Sequence, residues 1–198
     1  MGTEGGSDRM ADFGGARKWA RAIVSGALSE GARAVDATMG NGYDTEWLAE
    51  AVGETGVVYA FDVQEAALEN TKNRLQEKGL LSRARLFLTG HENMASVVPE
   101  KADAAVFNLG WLPGTPHERT TRAETSLKAA EAALALLKPG GVLTVCVYPG
   151  HDEGAREEEA LTAWARSLDD AAFDAVICGY ANIRKRPPIL IAVTRREK

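Results

Sequence analysis

The stretch "AVDATMGNGYDT" (residues 34–45) joins a short apolar run to an aspartate, then sets two glycines around an asparagine. Ala34 and Val35 read as the start of a short strand that ends near Asp36. Asp44 to Val52, with Trp47, Leu48 and Ala51 on one face, reads as a helix. A glycine loop between strand and helix lies where open parallel sheets bind ligands, beyond the carboxyl ends of the strands. Gly40 and Gly42 can take positive φ and let the backbone approach a ligand closely. The helix behind them offers free N–H groups to an anion. Three readings are open at this point: a dinucleotide loop, a loop for another nucleotide-like cofactor, or a tight turn.

Working outward, Ala16 to Leu28 has apolar residues at helical spacing. Val57 to Phe61 is a second strand, closed by Asp62. Glu65 to Lys78 is a helix with acidic residues early and basic residues late, as its dipole favours, and Gly79 stops it. Residues 84–88 and 102–110 are strands. Thr121 to Lys138 is an alanine- and leucine-rich helix ended by "KPGG", followed by a strand at 142–148. Glu153 to Leu168 is the last helix, and strands at 173–183 and 189–196 are joined by "RKRPP". Strands alternating with helices predict an α/β fold with a seven-stranded, mostly parallel sheet and helices on both faces. The last two strands lack a helix between them, so they should form a C-terminal antiparallel hairpin. Residues 1–15 read as a flexible Gly- and Asp-rich segment, and 16–198 as a single domain.

The bulk properties exclude several classes. The 198 residues are 45% hydrophobic and 26% charged, ordinary for a soluble globular chain. No apolar run reaches membrane-spanning length, and the N-terminus lacks a secretory apolar core, so a cytoplasmic protein without a membrane partner is expected. Cys146 and Cys178 lie in apolar strands and suggest buried thiols rather than a disulfide framework or a metal site. The net charge of −5 argues against nucleic-acid binding over the whole surface, but leaves room for a local basic patch.

The dinucleotide fingerprint G-x-G-x-x-G is incomplete, because position 45 is threonine. Asp36 sits four residues before Gly40. A carboxylate there suits an ammonium group better than a pyrophosphate, because like charges in a confined site repel. Asp62, at the end of the second strand, can accept both hydroxyls of a ribose. S-adenosylmethionine has the ammonium, the sulfonium, the ribose and the adenine to match. The blander readings are a turn carboxylate for Asp36 and a helix cap for Asp62.

Together, "DATMGNGYDT", "FDVQEAALENT", "GHENM", "FNLGWLPG" and "YPGH" resemble the small bacterial YtqB-like methyltransferases, long labelled rRNA methylases. The resemblance runs from about Ala16 to the C-terminus. It implies a Rossmann-like class I methyltransferase fold and S-adenosylmethionine as the methyl donor. It also implies a tRNA anticodon stem-loop as partner, in which 5-aminomethyl-2-thiouridine at the wobble position becomes its 5-methylaminomethyl form. No metal is expected, and a homodimer is carried as one possible assembly. Methylation of rRNA or of a small-molecule amine stays open within the same enzyme class, and a nicotinamide-dependent reductase and a noncatalytic cofactor-binding module stay open in different classes.

The candidate site residues follow from both lines of reading. Asp36, Gly40, Asn41, Gly42, Asp44, Asp62, Gln64, His91 and Glu92 are expected around the cofactor. Asn41 can equally be a left-handed turn residue, Asp44 a helix cap, and Gln64 a solvated helix start. Asn108 ends the fourth strand, where an acceptor nitrogen must meet the methyl carbon, and its amide can orient the amine lone pair. His151, in "YPGH", is a candidate proton acceptor, or a loop histidine binding nothing. Trp111, Leu112, Pro113, Arg119 and Tyr148 are expected on the substrate side, with Trp111 able to stack on a splayed base. Arg122 is a further RNA contact by its place after the same loop. Arg184, Lys185 and Arg186 read either as phosphate contacts or as ordinary turn charge.

Overall fold

Strand residues alternate between two apolar faces, and each face has its own helices. The computed structural model describes residues 14–110 and 120–197. In chain order, its elements are α1 (Ala16–Ser25), β1 (Arg33–Asp36), α2 (Tyr43–Val52), β2 (Val57–Asp62) and α3 (Glu65–Glu77). They continue as β3 (Ala84–Leu88), α4 (Met94–Val97), β4 (Ala102–Asn108) and α5 (Ala123–Leu136). Last come β5 (Leu137–Val147), α6 (Asp152–Ser167), β6 (Phe173–Cys178) and β7 (Ile189–Arg195).

The sheet order is β3-β2-β1-β4-β5-β7-β6. Strands β1 to β5 run parallel, while β7 is antiparallel to both β5 and β6. This is the expected Rossmann-like α/β sheet with its C-terminal antiparallel hairpin. The winding reverses between β1 and β4, and that junction is where a ligand crevice opens in such sheets.

Side chains follow the period of two. Val35, Tyr59, Phe61, Phe107 and Val145 point to the face covered by α4, α5 and α6. Ala34, Val58 and Val106 point to the opposite face, under Val24, Leu48, Val52 and Leu75 of α1, α2 and α3. Phe61 and Phe107 are fully buried, and burial of such a ring contributes about 1.5–3 kcal/mol. The helix α3 ends as its composition predicts: Arg74 lies in its last turn, and Gly79 follows with φ of 69°.

Two boundaries depart furthest from the expectation. The helix α5 stops at Leu136, and Leu137 already pairs with Ala102, so "KPGG" lies inside β5. Gly140 takes φ of 77° there, the register of β4 against β5 shifts, and Lys138 pairs with Asp103 at 2.8 Å. The stop signal ends the helix, but the sheet recruits the stop itself as an irregular strand start. Strand β6 ends at Cys178 rather than near 183. Tyr180 instead leaves the ladder, packs 5.5 Å from the Trp19 ring and donates its hydroxyl to the Gly14 carbonyl. Among the described residues, no helix is long and apolar enough to cross a membrane.

Candidate active site

The loop after β1 is pinned to the strand ends on either side. Ala37 N–H donates to the Val106 carbonyl of β4, and Met39 N–H to the Phe61 carbonyl of β2, each at 2.9 Å. Gly42 N–H closes a tight turn onto the Met39 carbonyl at 2.8 Å. Gly40 and Gly42 take φ of 50° and 80°, where a side chain would be strained. Helix α3 supports the loop from behind: the Thr71 hydroxyl donates to the Gly40 carbonyl and Arg74 Nε to the Asn41 carbonyl. The Asn41 side chain accepts from Asn70.

Beyond the carboxyl ends of β1, β2 and β4 lies a cavity of about 650 Å³. Its lining divides into two halves. Gly40, Asn41, Asp62, Gln64, His91 and Glu92 line one half, whereas Asn108, Gly110, Thr120, Thr121, Arg122 and Tyr148 line the other.

In the first half, Asp62 Oδ2 accepts from Gly40 N–H at 3.1 Å and Oδ1 from Gln64 N–H at 3.0 Å. Burial raises its carboxyl above the ordinary range, while these backbone donors oppose the shift. A carboxylate has about four acceptor positions, so roughly two remain for a cis-diol. His91 Nδ1 lies 3.2 Å from the Ala37 carbonyl. A carbonyl only accepts, so Nδ1 carries the proton and Nε2 keeps its lone pair. Burial holds the ring's pKa below its ordinary value, which keeps it neutral. Phe107 backs the imidazole with ring centres 5.8 Å apart. A cis-diol acceptor, a neutral ring acceptor and an apolar wall at Val63 form a donor–acceptor set that fits an adenosine. S-adenosylmethionine is one such molecule, and Asp62, Gln64, His91 and Glu92 are the residues that would hold its nucleoside.

Asp44 organises the second half. It is 8% exposed and accepts from Arg21 Nη2 at 2.7 Å, Arg17 Nη2 at 3.2 Å and Asn108 Nδ2 at 2.7 Å. The last bond fixes the amide of Asn108: its nitrogen faces Asp44, so its oxygen turns away. The Asn108 backbone N–H donates to Thr38 Oγ1 at 2.8 Å, which locks the end of β4 to the loop. Asn108 Oδ1 is buried and has no hydrogen-bond partner among the described residues, and the same holds for Thr120 Oγ1. A buried carbonyl without a donor is costly, and Asn108 is one of the residues of the cavity wall.

Several expected residues stand elsewhere. Asp36 does not line the cavity. It is fully buried beneath the loop, with Oδ2 accepting from the Thr45 hydroxyl at 2.6 Å and Oδ1 from Thr38 N–H at 3.1 Å. Burial, then the nearby Asp44 charge, push it up to about 7. The expected contact with an ammonium group is therefore corrected to a strut inside the fold. Gly42 also lies off the cavity wall; a Cβ there would stand 2.9 Å from Thr71 Cα, so it serves the packing of the loop on α3. His151 caps α6, with Nδ1 accepting from Gly154 N–H at 3.1 Å, and does not line the cavity. Its lone pair on that nitrogen is committed to the helix, which corrects the expected proton-acceptor role.

Tyr148 lines the cavity, and burial raises its phenol to about 12. Trp111, Leu112, Pro113 and Arg119 lie outside the described residues. Gly110 and Thr121 bracket them, joined by Thr121 N–H to the Gly110 carbonyl and Gly110 N–H to Thr121 Oγ1. Arg122 is exposed and on the lining. Arg186 pairs with Glu158, and Arg196 with Asp174, so these terminal charges serve the fold. Sequence reading missed Arg17, Thr38 and Tyr43, all on the lining. Arg17 and Arg21 stand one helical turn apart on the polar side of α1, a signal that apolar periodicity passes over.

The family model described as "Putative rRNA methylase" matches residues 58–194. The tRNA (mnm(5)s(2)U34)-methyltransferase, chloroplastic, of Arabidopsis thaliana is 36% identical over 182 residues, which cover 86% of this chain and 65% of that protein. The chain thus spans just under two-thirds of that relative's length. A solved protein from Clostridium thermocellum, described as a "putative rRNA-methylase", superposes with a TM-score of 0.91 at 35% identity, covering 93% of this chain and 100% of the other. SMU.1697c from Streptococcus mutans, described as "a putative methyltransferase" and solved in complex with SAH, gives 0.85 at 33% identity, covering 94% of this chain and 99% of the other. With both its fold and most of its length matched, the chain belongs to the family described as "Putative rRNA methylase".

Proposed function

We propose that this protein is an S-adenosylmethionine-dependent N-methyltransferase acting on RNA. Its most fitting substrate is the aminomethyl group of 5-aminomethyl-2-thiouridine at the tRNA wobble position, which becomes 5-methylaminomethyl-2-thiouridine. The observation that carries this reading is Asn108 on the cavity wall, its amide nitrogen held by Asp44 and its buried Oδ1 without a hydrogen-bond partner among the described residues. The Arabidopsis relative, named for that wobble nucleoside, supports the choice of substrate.

When bound, the cofactor supplies an electrophilic methyl group on a sulfonium. The protein's own work is placement. Asp62 holds the ribose end, and His91 Nε2 offers an acceptor to the exocyclic amine of adenine. Asn108 Oδ1 accepts an N–H from the acceptor amine and thereby aims its lone pair. An attacking amine must be neutral. Arg17 lines the cavity, and two guanidiniums surround the single Asp44 charge. Beside Asp44 that leaves one more positive charge than negative, which disfavours the ammonium form there. Orientation of this kind can be worth an effective molarity of ~10⁵ M or more. No dedicated base is required, and the phenol of Tyr148, raised to about 12, stays protonated and does not serve as a phenolate base. Arg122 at the mouth suits a phosphate of the stem-loop.

The test is mass spectrometry of tRNA nucleosides from cells with and without the gene. Accumulation of the unmethylated aminomethyl nucleoside in the deletion strain is expected. Unchanged nucleosides would refute the substrate.

A further inference from the structure

Tyr43 stands between Gly42 and Asp44. Its side chain lines the cavity, yet the residue is 56% exposed. The other exposed large apolar residue on the lining is Val63, which follows Asp62 and falls to the nucleoside half. Tyr43 stands where the loop passes from one half of the lining to the other. Gly40 meets Asp62, whereas Asp44, the immediate neighbour of Tyr43, meets Asn108.

The ring is also held in place. The Arg74 guanidinium lies 3.8 Å from its centroid. That guanidinium is itself fixed by Nε to the Asn41 carbonyl at 2.8 Å and Nη1 to Glu46 Oε2 at 2.9 Å. Arg21 Nη2 adds a bond to the Tyr43 carbonyl at 3.4 Å. A surface tyrosine ordinarily turns freely and loses that freedom on binding. Here the cation–π contact has already restrained it, so a planar partner meets a prearranged surface. A cation behind the ring also draws electron density from it, which favours stacking with an electron-rich aromatic.

We propose that Tyr43 is a stacking platform for a nucleobase flanking the methylated nucleotide. The inference rests on the RNA reading above. Stacking of bases on aromatic side chains is tolerant of sequence because every base has a π-face. The platform therefore positions the strand, while the acceptor amine at Asn108 supplies the selection.

The experiment compares wild type with Tyr43→Ala, Tyr43→Phe and Tyr43→Trp. The probe is an anticodon stem-loop carrying 2-aminopurine beside the wobble uridine, and SAH affinity is measured in parallel by calorimetry. Tyr43→Ala is expected to lose about tenfold or more in stem-loop affinity and the 2-aminopurine quenching, with SAH affinity and melting temperature unchanged. Tyr43→Phe and Tyr43→Trp are expected to keep both binding and quenching. Wild-type stem-loop affinity in Tyr43→Ala, with methylation by wild type intact, would overturn the platform and leave the function standing. A loss of SAH affinity instead would place the ring in the cofactor half and also overturn it. A wild-type protein that binds SAH but no stem-loop would bring down the RNA reading, and the platform with it.

Discussion

Replacing Asn108 with alanine separates placement of the acceptor from everything else in the site. The substitution removes Oδ1, which has no partner among the described residues, and Nδ2, which donates to Asp44 at 2.7 Å. Asp44 keeps Arg17 and Arg21, so its charge stays paired. The bond from the residue 108 backbone to Thr38 does not depend on the side chain, so the strand end stays in place. The expected stability cost is thus about 1 kcal/mol, that of one ordinary hydrogen bond. The catalytic cost is larger, because the lost interaction is with an amine that gains charge as it reacts. A hydrogen bond to a charged group is worth roughly 1.5–3 kcal/mol, which corresponds to about a 10- to 150-fold loss in rate. Single-turnover methyl transfer to a stem-loop measures the rate, and calorimetry with SAH measures the donor half. An unchanged rate, or rate and SAH affinity falling together, would refute the reasoning and make Asn108 a structural or cofactor residue.

Asp62→Ala removes the expected diol acceptor and the partner of Gly40 N–H; SAH affinity should fall about 100-fold or more by calorimetry, and an unchanged affinity would contradict the assignment. Asp36 has a folded value of about 7 against an ordinary 3.8, so the folded protein holds a proton that the unfolded chain releases. Stability should therefore fall as pH rises from about 4 to 7, by an amount on the order of a few kcal/mol. Asp36→Asn should flatten that slope in urea titrations across the same window, and a slope unaffected by the substitution would count against a raised Asp36. Gly42→Ala places a Cβ 2.9 Å from Thr71 Cα at φ of 80°. A loss of about 1–2 kcal/mol for the backbone conformation alone is expected, together with weaker SAH binding, and a variant as stable as wild type would show that loop and α3 can part at no cost.

Most of the fold was legible because apolar spacing carries it. Phe61 and Phe107 lie in the runs read as the second and fourth strands. The join of α5 to β5 was not legible, because Pro139 and Gly140 signal a helix stop but say nothing about a neighbouring strand that accepts them. The loop after β1 was readable as a site, and so was Asp62 as a cavity residue. Asp36 and His151 misled for a shared reason: a titratable side chain near a cavity in sequence has a fixed backbone, but its direction depends on tertiary donors. Thr45 and Thr38 turn Asp36 inward, and Gly154 turns His151 onto its own helix. Arg17 was invisible because its partner Asp44 lies 27 residues away. The amide direction of Asn108 depends on that same carboxylate, so the most informative atom in the site could be read only once the chain was folded.

The most direct test of the central claim is methyl transfer by the purified protein to two anticodon stem-loops that differ only at the wobble uridine. One carries 5-aminomethyl-2-thiouridine and the other 2-thiouridine without the amine. With labelled S-adenosylmethionine, label should enter only the first, and digestion should release 5-methylaminomethyl-2-thiouridine. Equal labelling of both RNAs, or none in either despite SAH binding, would contradict an N-methyltransferase that aims an amine with Asn108.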